Sequence, residues 1–237
     1  MADLAFSNLW LDHVGLVVED VAPVVAQLRE AGFSVSDPVA LQGENGPLGQ
    51  TSAHCVFENF YLEISAPVPG SGNHLEPLLA EGPGVKIIAL GCEDADAAHA
   101  KLSESGVACG PLRDASREVM FARRRAIARF RWFAVEEGPA GAITALVEHL
   151  DPEIVFAPEL SAHRNGSRRV TEVVLGEAGR SLRKLAQGKA TDAPAIRIDE
   201  SELSIVRGLV IDGTIFPMLD VRGLTLQSSY QIEVPHP

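Results

Sequence analysis

Two stretches decide the fold of this chain: LDHVGLVVED at Leu11–Asp20 and VKIIALGCED at Val85–Asp94, which align without a gap. At a constant offset of 74 residues, Leu16 falls on Leu90, Glu19 on Glu93, Asp20 on Asp94, Leu28 on Leu102, Glu30 on Glu104 and Gly32 on Gly106. Each copy reads as an apolar strand, an acidic N-cap, a helix and a glycine stop. A repeated supersecondary unit sets the architecture and places any site where the copies meet. The copies differ at one position of chemical interest: His13 stands where the second has Ile87.

Outward from these strands the pattern continues. In the first copy, Val24, Val25, Leu28 and Ala31 recur at helical spacing after Asp20. Phe33 to Leu41 then reads as a strand, and Gly49 to Ser65 as a hairpin turning at Glu58-Asn59, which makes a βαβββ unit. The second copy offers a strand at Val85 to Gly91 and a helix at Asp94 to Ser105. A short strand after Gly106 follows, then strands near Glu118 to Ala122, Ala128 to Val135 and Ala142 to His149. Beyond Asp151-Pro152 come a strand at Arg169 to Gly176, a helix at Ser181 to Gln187, and strands at Ala195 to Ile198, Leu203 to Arg207 and Val221 to Gln227. The expectation is an α+β chain with paired βαβββ modules over residues 1–150 and an appended C-terminal partial βαβ module over 151–237 packed on them.

Composition narrows the function. A hydrophobic share of 46% supplies a packed core, and a formal charge of −12 opposes binding to nucleic acid or an anionic membrane surface. The exception is the basic run Arg123, Arg124, Arg125, Arg129 and Arg131, whose commoner use is a solvated strand face and whose other use is an anion-steering rim. Cys55, Cys92 and Cys109 are odd in number and widely spaced, as in a reduced, cytoplasmic protein. The start, MADLAFSNLWLDH, carries neither a basic leader nor a long apolar run.

Strand parity gathers a polar group. If Val14, Leu16 and Val18 lie under the helix, His13 faces the other way, and in the hairpin's second strand Tyr61, Glu63 and Ser65 share that open face. A two-residue loop at Glu58-Asn59 pairs His54 with Glu63; a bulge would turn His54 away. Aligning YLEI (Tyr61 to Ile64) with LVEH (Leu146 to His149) puts Glu148 at the Glu63 position. An imidazole with carboxylates on one face suits a divalent metal with an open coordination position. Taken singly, a strand His or Glu is more often a hydrogen-bonded structural residue.

LDHVGLVVED, TSAHCVFENFYLEI (Thr51 to Ile64) and HRNG (His163 to Gly166) together resemble the glyoxalase-like domain branch of the vicinal oxygen chelate superfamily. The likeness covers the first 150 residues well and extends loosely to about Leu175. It implies paired βαβββ modules curled into an open sheet around a divalent metal (Fe, Mn, Zn or Ni), with ligands from the first and last strands of each module. Three of those four positions match, at His13, Glu63 and Glu148; the fourth is Ile87. Either His54 or water completes the sphere, or the cup binds its ligand without metal. HRNG reads as a structural turn, with Asn165-Gly166 supplying a positive φ.

The resemblance thus implies a metal-dependent enzyme acting on a small oxygenated substrate, a lyase or isomerase in which Glu63 or Glu148 shuttles a proton. An extradiol-type dioxygenase fits only with His54 as a ligand. The alternative is a metal-free binding or sequestering protein. His54, Tyr61 and Trp132 are the expected substrate contacts, with Phe133 beside them. A small molecule is the expected partner, without nucleic acid or membrane, and a homodimer is compatible with the chain.

Overall fold

The computed structural model describes residues 9–121, 124–186, 193–201, 204–213 and 218–229. Ala122, Arg123, Gln187 and Leu203, which end or extend expected elements, lie outside the described residues, as does the start of the chain. The repeat holds to the residue. Strand β1 (Trp10–Val17) and helix α1 (Val21–Glu30) recur as β5 (Gly84–Gly91) and α3 (Ala95–Glu104) at the same offset. Asp20 and Asp94 cap the two helices, their carboxylates accepting from the backbone N–H groups of Ala22 and Ala97. Gly32 ends α1 at φ +88°, a conformation that β-carbons disfavour.

The first module adds β2 (Val39–Gly43), β3 (Gly46–Val56) and β4 (Tyr61–Pro67). A short helix α2 (Glu76–Ala80) leads into β5, and the second module adds β6 (Arg113–Phe121), β7 (Arg124–Val135) and β8 (Ile143–His149). The strand expected after Gly106 shrinks to a single bridge between Cys109 and Val135, because the long β6–β7 hairpin takes up that pairing. Phe33 to Ser36 stays outside the strands, and β2 begins only at Val39.

Each module is a curled sheet whose first strand runs parallel beside its last, β1 with β4 and β5 with β8. The modules join through the antiparallel pair β1–β5, and the curl continues until the sheet closes in the order β1-β4-β3-β2-β6-β7-β8-β5. Closure replaces the open edge expected from the resemblance, and its seam is slight: Gln42 with Ser116 and Gly43 with Ala115. It leaves β2 and β6 with paired rather than bare edges.

Alternation along the strands sorts side chains between two environments. Val14, Leu16, Leu62, Ile64, Ile88, Leu90 and Leu146 are fully buried in the core outside the ring, where α1 and α3 pack. His13 on β1, Tyr61 and Glu63 on β4, Ile87 and Ala89 on β5, and the odd-numbered positions of β8 face the interior, which is a cavity rather than a packed core.

The C-terminal region forms a second sheet from β9 (Arg169–Gly176), β10 (Ala195–Asp199), β11 (Val206–Asp212), β12 (Leu219–Val221) and β13 (Leu224–Ser228), in the order β10-β9-β11-β13-β12. Strand β9, a 3₁₀ turn, helix α5 (Leu182–Leu185) and β10 make the expected parallel βαβ unit. A turn at Arg222-Gly223 splits the expected last strand into the β12–β13 hairpin. Val170, Val173, Leu209 and Leu226 belong to the same apolar core as α1, and the Asn59 side chain bonds both N–H and C=O of Val170.

The linker between the sheets contains helix α4 (Pro152–Val155) and HRNG. His163 Nδ1 accepts from the Ser34 N–H, its ring packs against Phe33 and Phe57, and Asn165 donates to the Ala31 carbonyl. Gly166, not Asn165, supplies the positive φ, at +77°. HRNG therefore clamps the end of α1. No helix among the described residues is long and apolar enough to cross a membrane.

Candidate functional site

The ring encloses a cavity of about 90 Å³. His13 enters it from β1, Tyr61 and Glu63 from β4, and Gln50 and His54 from β3. The tight turn at Glu58-Asn59, closed by the Phe57 N–H on the Phe60 carbonyl, sets the β3–β4 register and puts His54 opposite Glu63, as parity predicts. Ile87, Trp132, Val147 and His149 form much of the second module's wall, and His74 joins from the loop before α2.

Glu148 is not among them. It lies on the outer face, where Oε2 accepts the Ala95 N–H at the start of α3. The reason is register. Gly15 pairs with Glu63 in the first module, and its counterpart Ala89 pairs with Ala145 in the second, so the residue equivalent to Glu63 is Ala145. The YLEI–LVEH alignment is three residues out of step, and an odd slip reverses a strand's faces. The same parity brings His149 inward. Phe133, adjacent to the inward Trp132, points into the core against His99 at 4.8 Å.

Sequence reasoning also missed Asp12, Gln50 and Arg117. Asp12 is the extra residue of an irregularity in β1, where Leu11 pairs with Leu90 and His13 already with Ala89. Its carboxylate therefore lies beside the His13 ring, Oδ2 being 2.7 Å from His13 Nδ1 and 3.0 Å from His149 Nε2. Burial works against a charged Asp12, but the two histidines outweigh it and hold its pKa well below the usual carboxylate range.

With Nδ1 committed to Asp12, His13 presents Nε2 to the cavity, 3.6 Å from Glu63 Oε2 and 3.3 Å from the Tyr61 hydroxyl. The Tyr61 ring stacks on the imidazole at 4.1 Å. Burial disfavours the imidazolium, yet Asp12 and Glu63 together raise the His13 pKa above its ordinary value. Glu63 shows the converse. Burial opposes its charge, and His13, with a hydrogen bond from Ser65, overcomes that and holds it well below the usual range. Its Oε1 accepts from Ser65 at 2.5 Å, Ser52 at 3.0 Å and Gln50 at 3.2 Å, which leaves Oε2 as the oxygen facing His13.

His54 differs in kind. Burial first, and the Arg117 charge second, push its pKa well down, so it is a neutral ring, and its Nδ1 is buried without a hydrogen-bond partner. Arg117 reaches in from β6 with 5% of its surface exposed, its guanidinium carbon 5.7 Å from the Tyr61 ring centroid. Among the described residues, no member of the basic run nearby lines the cavity. Arg125 pairs with Glu118, Arg129 with Asp151, and Arg131 with Asp96 and Asp114.

These residues do not fit a divalent-metal centre of the four-ligand kind. Of the four strand positions, Ile87 and Ala145 are apolar, and a cation placed beside His13 would share its walls with the Arg117 guanidinium. Among the described residues, no three His, Cys, Asp or Glu side chains come together to hold a metal ion.

Solved structures of similar fold include a hypothetical protein from Staphylococcus aureus. It is 11% identical, with a TM-score of 0.71, over 93% of this chain and 99% of that one. Part of the chain also overlaps methylmalonyl-CoA epimerases. One from Streptomyces coelicolor is 24% identical at a TM-score of 0.45, covering 61% of this chain and 96% of its own. One from Mycobacterium tuberculosis is 22% identical at 0.42, covering 62% and 95%. These overlaps say nothing of this chain's substrate. No curated protein matches the chain. The sequence profile of the glyoxalase-like domain matches residues 11–188, three quarters of the chain. With its paired βαβββ modules wound into one ring, the chain belongs to the glyoxalase-like domain family.

Proposed function

We propose that this protein is a proton-transfer enzyme of the isomerase or lyase type acting on a small oxygenated substrate, with His13 as acid and Glu63 as base. The observation that carries this reading is the Asp12–His13–Glu63 arrangement: an imidazole fixed by a buried carboxylate at Nδ1, facing a second, ionised carboxylate across 3.6 Å inside a cavity. The shifts run in the direction these roles require, His13 toward the imidazolium and Glu63 toward the carboxylate.

The chemistry follows from their coupling. A carbonyl oxygen of the substrate takes the Nε2 proton of His13 while Glu63 Oε2 takes a proton from the adjacent carbon. The C–H bond breaks, a C=C bond forms, and the carbonyl becomes an enol. The same pair runs the step backwards to the same or the neighbouring carbon. Glu63 is a weak base while His13 is charged, because that charge is what depresses it. As His13 gives up its proton the depression is relieved, and the base strengthens as the acid reacts. Tyr61 holds the imidazole plane, and Gln50, Ser52 and Ser65 hold the carboxylate. The cavity's small volume favours a small substrate, and Ile87, Trp132, Ala145 and Val147 give it apolar surface to pack against.

The test is deuterium wash-in. Small 2-oxo and 2-hydroxy carbonyl compounds, pyruvate and dihydroxyacetone among them, are incubated with the protein in D₂O and followed by proton NMR. Exchange above the buffer rate that disappears in His13→Gln and Glu63→Gln is expected. Saturable binding of these compounds without exchange would instead support the sequestering reading, and the absence of both would overturn the assignment of this cavity. Metal analysis of the same samples checks the ligand argument, since stoichiometric metal lost with His13→Ala would restore the metalloenzyme reading.

A further inference from the structure

Arg117 is a buried cation without a counter-ion in contact. None of its side-chain nitrogens makes a hydrogen bond or an ion pair with any described residue, and Nη2 is completely enclosed. Its neighbours are committed elsewhere: Glu63 Oε1 to Gln50, Ser52 and Ser65, Oε2 to His13, and Asp12 to two histidines. Leaving a guanidinium in this state is costly, because a buried charge is tolerated when it is paired and hydrogen-bonded. The Tyr61 ring 5.7 Å away compensates only part of that cost. What is missing is an acceptor, and the group lines a cavity that has room for one.

We infer that Arg117 anchors a carboxylate of the ligand, so that the site takes a small organic acid whose reacting carbon then lies toward His13 and Glu63. A guanidinium offers a forked pair of donors that matches a carboxylate in both geometry and charge. A monoanion suits the surroundings better than a phosphate dianion, because Glu63 in the cavity wall and Asp12 behind His13 already place two negative charges near Arg117 and would repel a second ligand charge. The cavity's apolar lining, with Ile87, Trp132 and Val147, suits a short apolar remainder rather than a second polar group. This inference rests on the cavity being the ligand site and is independent of whether proton transfer occurs there.

The experiment compares isobutyrate with its neutral isostere isobutyramide, and with inorganic phosphate, by protein-observed NMR titration of the full-length chain. Wild type is expected to bind isobutyrate at least about tenfold more tightly than the amide, the advantage of a charge-assisted hydrogen bond. Arg117→Met and Arg117→Gln are expected to bring the two affinities together without lowering the ligand-free melting temperature, since each removes an uncompensated buried charge. No preference for the carboxylate in wild type, a preference that survives in both variants, or phosphate binding as tight as isobutyrate would overturn the inference. The His13→Gln variant separates the two readings. A carboxylate preference retained in it, in a protein that never washes deuterium into any carbonyl probe, sinks the catalytic reading and leaves this one standing; deuterium exchange without a carboxylate preference does the reverse.

Discussion

Asp12 and His13 are neighbours in sequence and also in hydrogen bonding, with the carboxylate 2.7 Å from Nδ1 of the next residue's ring. Successive side chains of a regular strand point to opposite faces, so this contact exists only because β1 is irregular at Asp12. The irregularity turns one cavity-facing histidine into an oriented acid, and it does so at one end of the antiparallel seam that joins the two modules.

The first prediction concerns pH. If His13 acts as the imidazolium, turnover falls as pH rises through its pKa, which lies above the ordinary value of 6.5. Glu63, depressed below its ordinary 4.5, contributes no acid limb near neutrality. Asp12→Asn removes one of the two supports of the imidazolium, so the alkaline limb should move to lower pH and the maximal rate should drop by roughly 10²-fold. A pH–rate profile on whichever carbonyl probe exchanges reads both effects; an unmoved limb in Asp12→Asn excludes Asp12 as the orienting group.

The second separates the two glutamates that sequence alignment made equivalent. Glu63→Gln should abolish exchange while the chain stays folded. Glu148→Ala should leave turnover unchanged and cost about 1 kcal/mol of stability, because it removes only the acceptor for the Ala95 N–H at the start of α3. Equal losses of activity in both would contradict the register described above.

Much of this could be read from the chain before its coordinates. The offset of 74 residues is carried by the strand and cap residues themselves, and the turn at Glu58-Asn59 sets a register that needs no tertiary information to extend to His54 and Glu63. What was hidden lacked a local signal. Arg117 lies opposite Ala128 in the β6–β7 pairing, and the sequence between these strands carries no turn motif of the Asn-Gly kind, so nothing in the sequence indicated which of the arginines faces inward. Asp12 was missed because a bulge suspends the alternation on which parity arguments depend. Glu148 was misplaced because four residues of resemblance outweighed the parity of its strand, in which Ala145, Val147 and His149 already shared a face.

A third prediction concerns acid stability. His163 is held neutral by burial, with its pKa pushed down to about 4, and burial also lowers His54. In the unfolded chain both titrate near 6.5, so the unfolded state binds more protons as pH falls below that value. Stability should therefore decline between about pH 6.5 and pH 4. His163→Gln should flatten part of that decline. It should also lower stability at neutral pH by about 1–3 kcal/mol if the amide fails to replace Nδ1 as acceptor for the Ser34 N–H. Urea unfolding at a series of pH values checks both. Asp12 and Glu63 add a steeper loss that sets in at about pH 5, since their depressed values keep them ionised in the folded state while the unfolded chain takes up its protons.

The claim on which everything else depends is that His13 rests as an imidazolium between two ionised carboxylates, and nitrogen-15 NMR of the histidine side chains reads it directly. The account predicts a ring protonated at both nitrogens at pH 6.5, losing its Nε2 proton only above that pH, with the midpoint falling in both Asp12→Asn and Glu63→Gln. A His13 ring that is neutral at pH 6.5, or a midpoint indifferent to both substitutions, would contradict it.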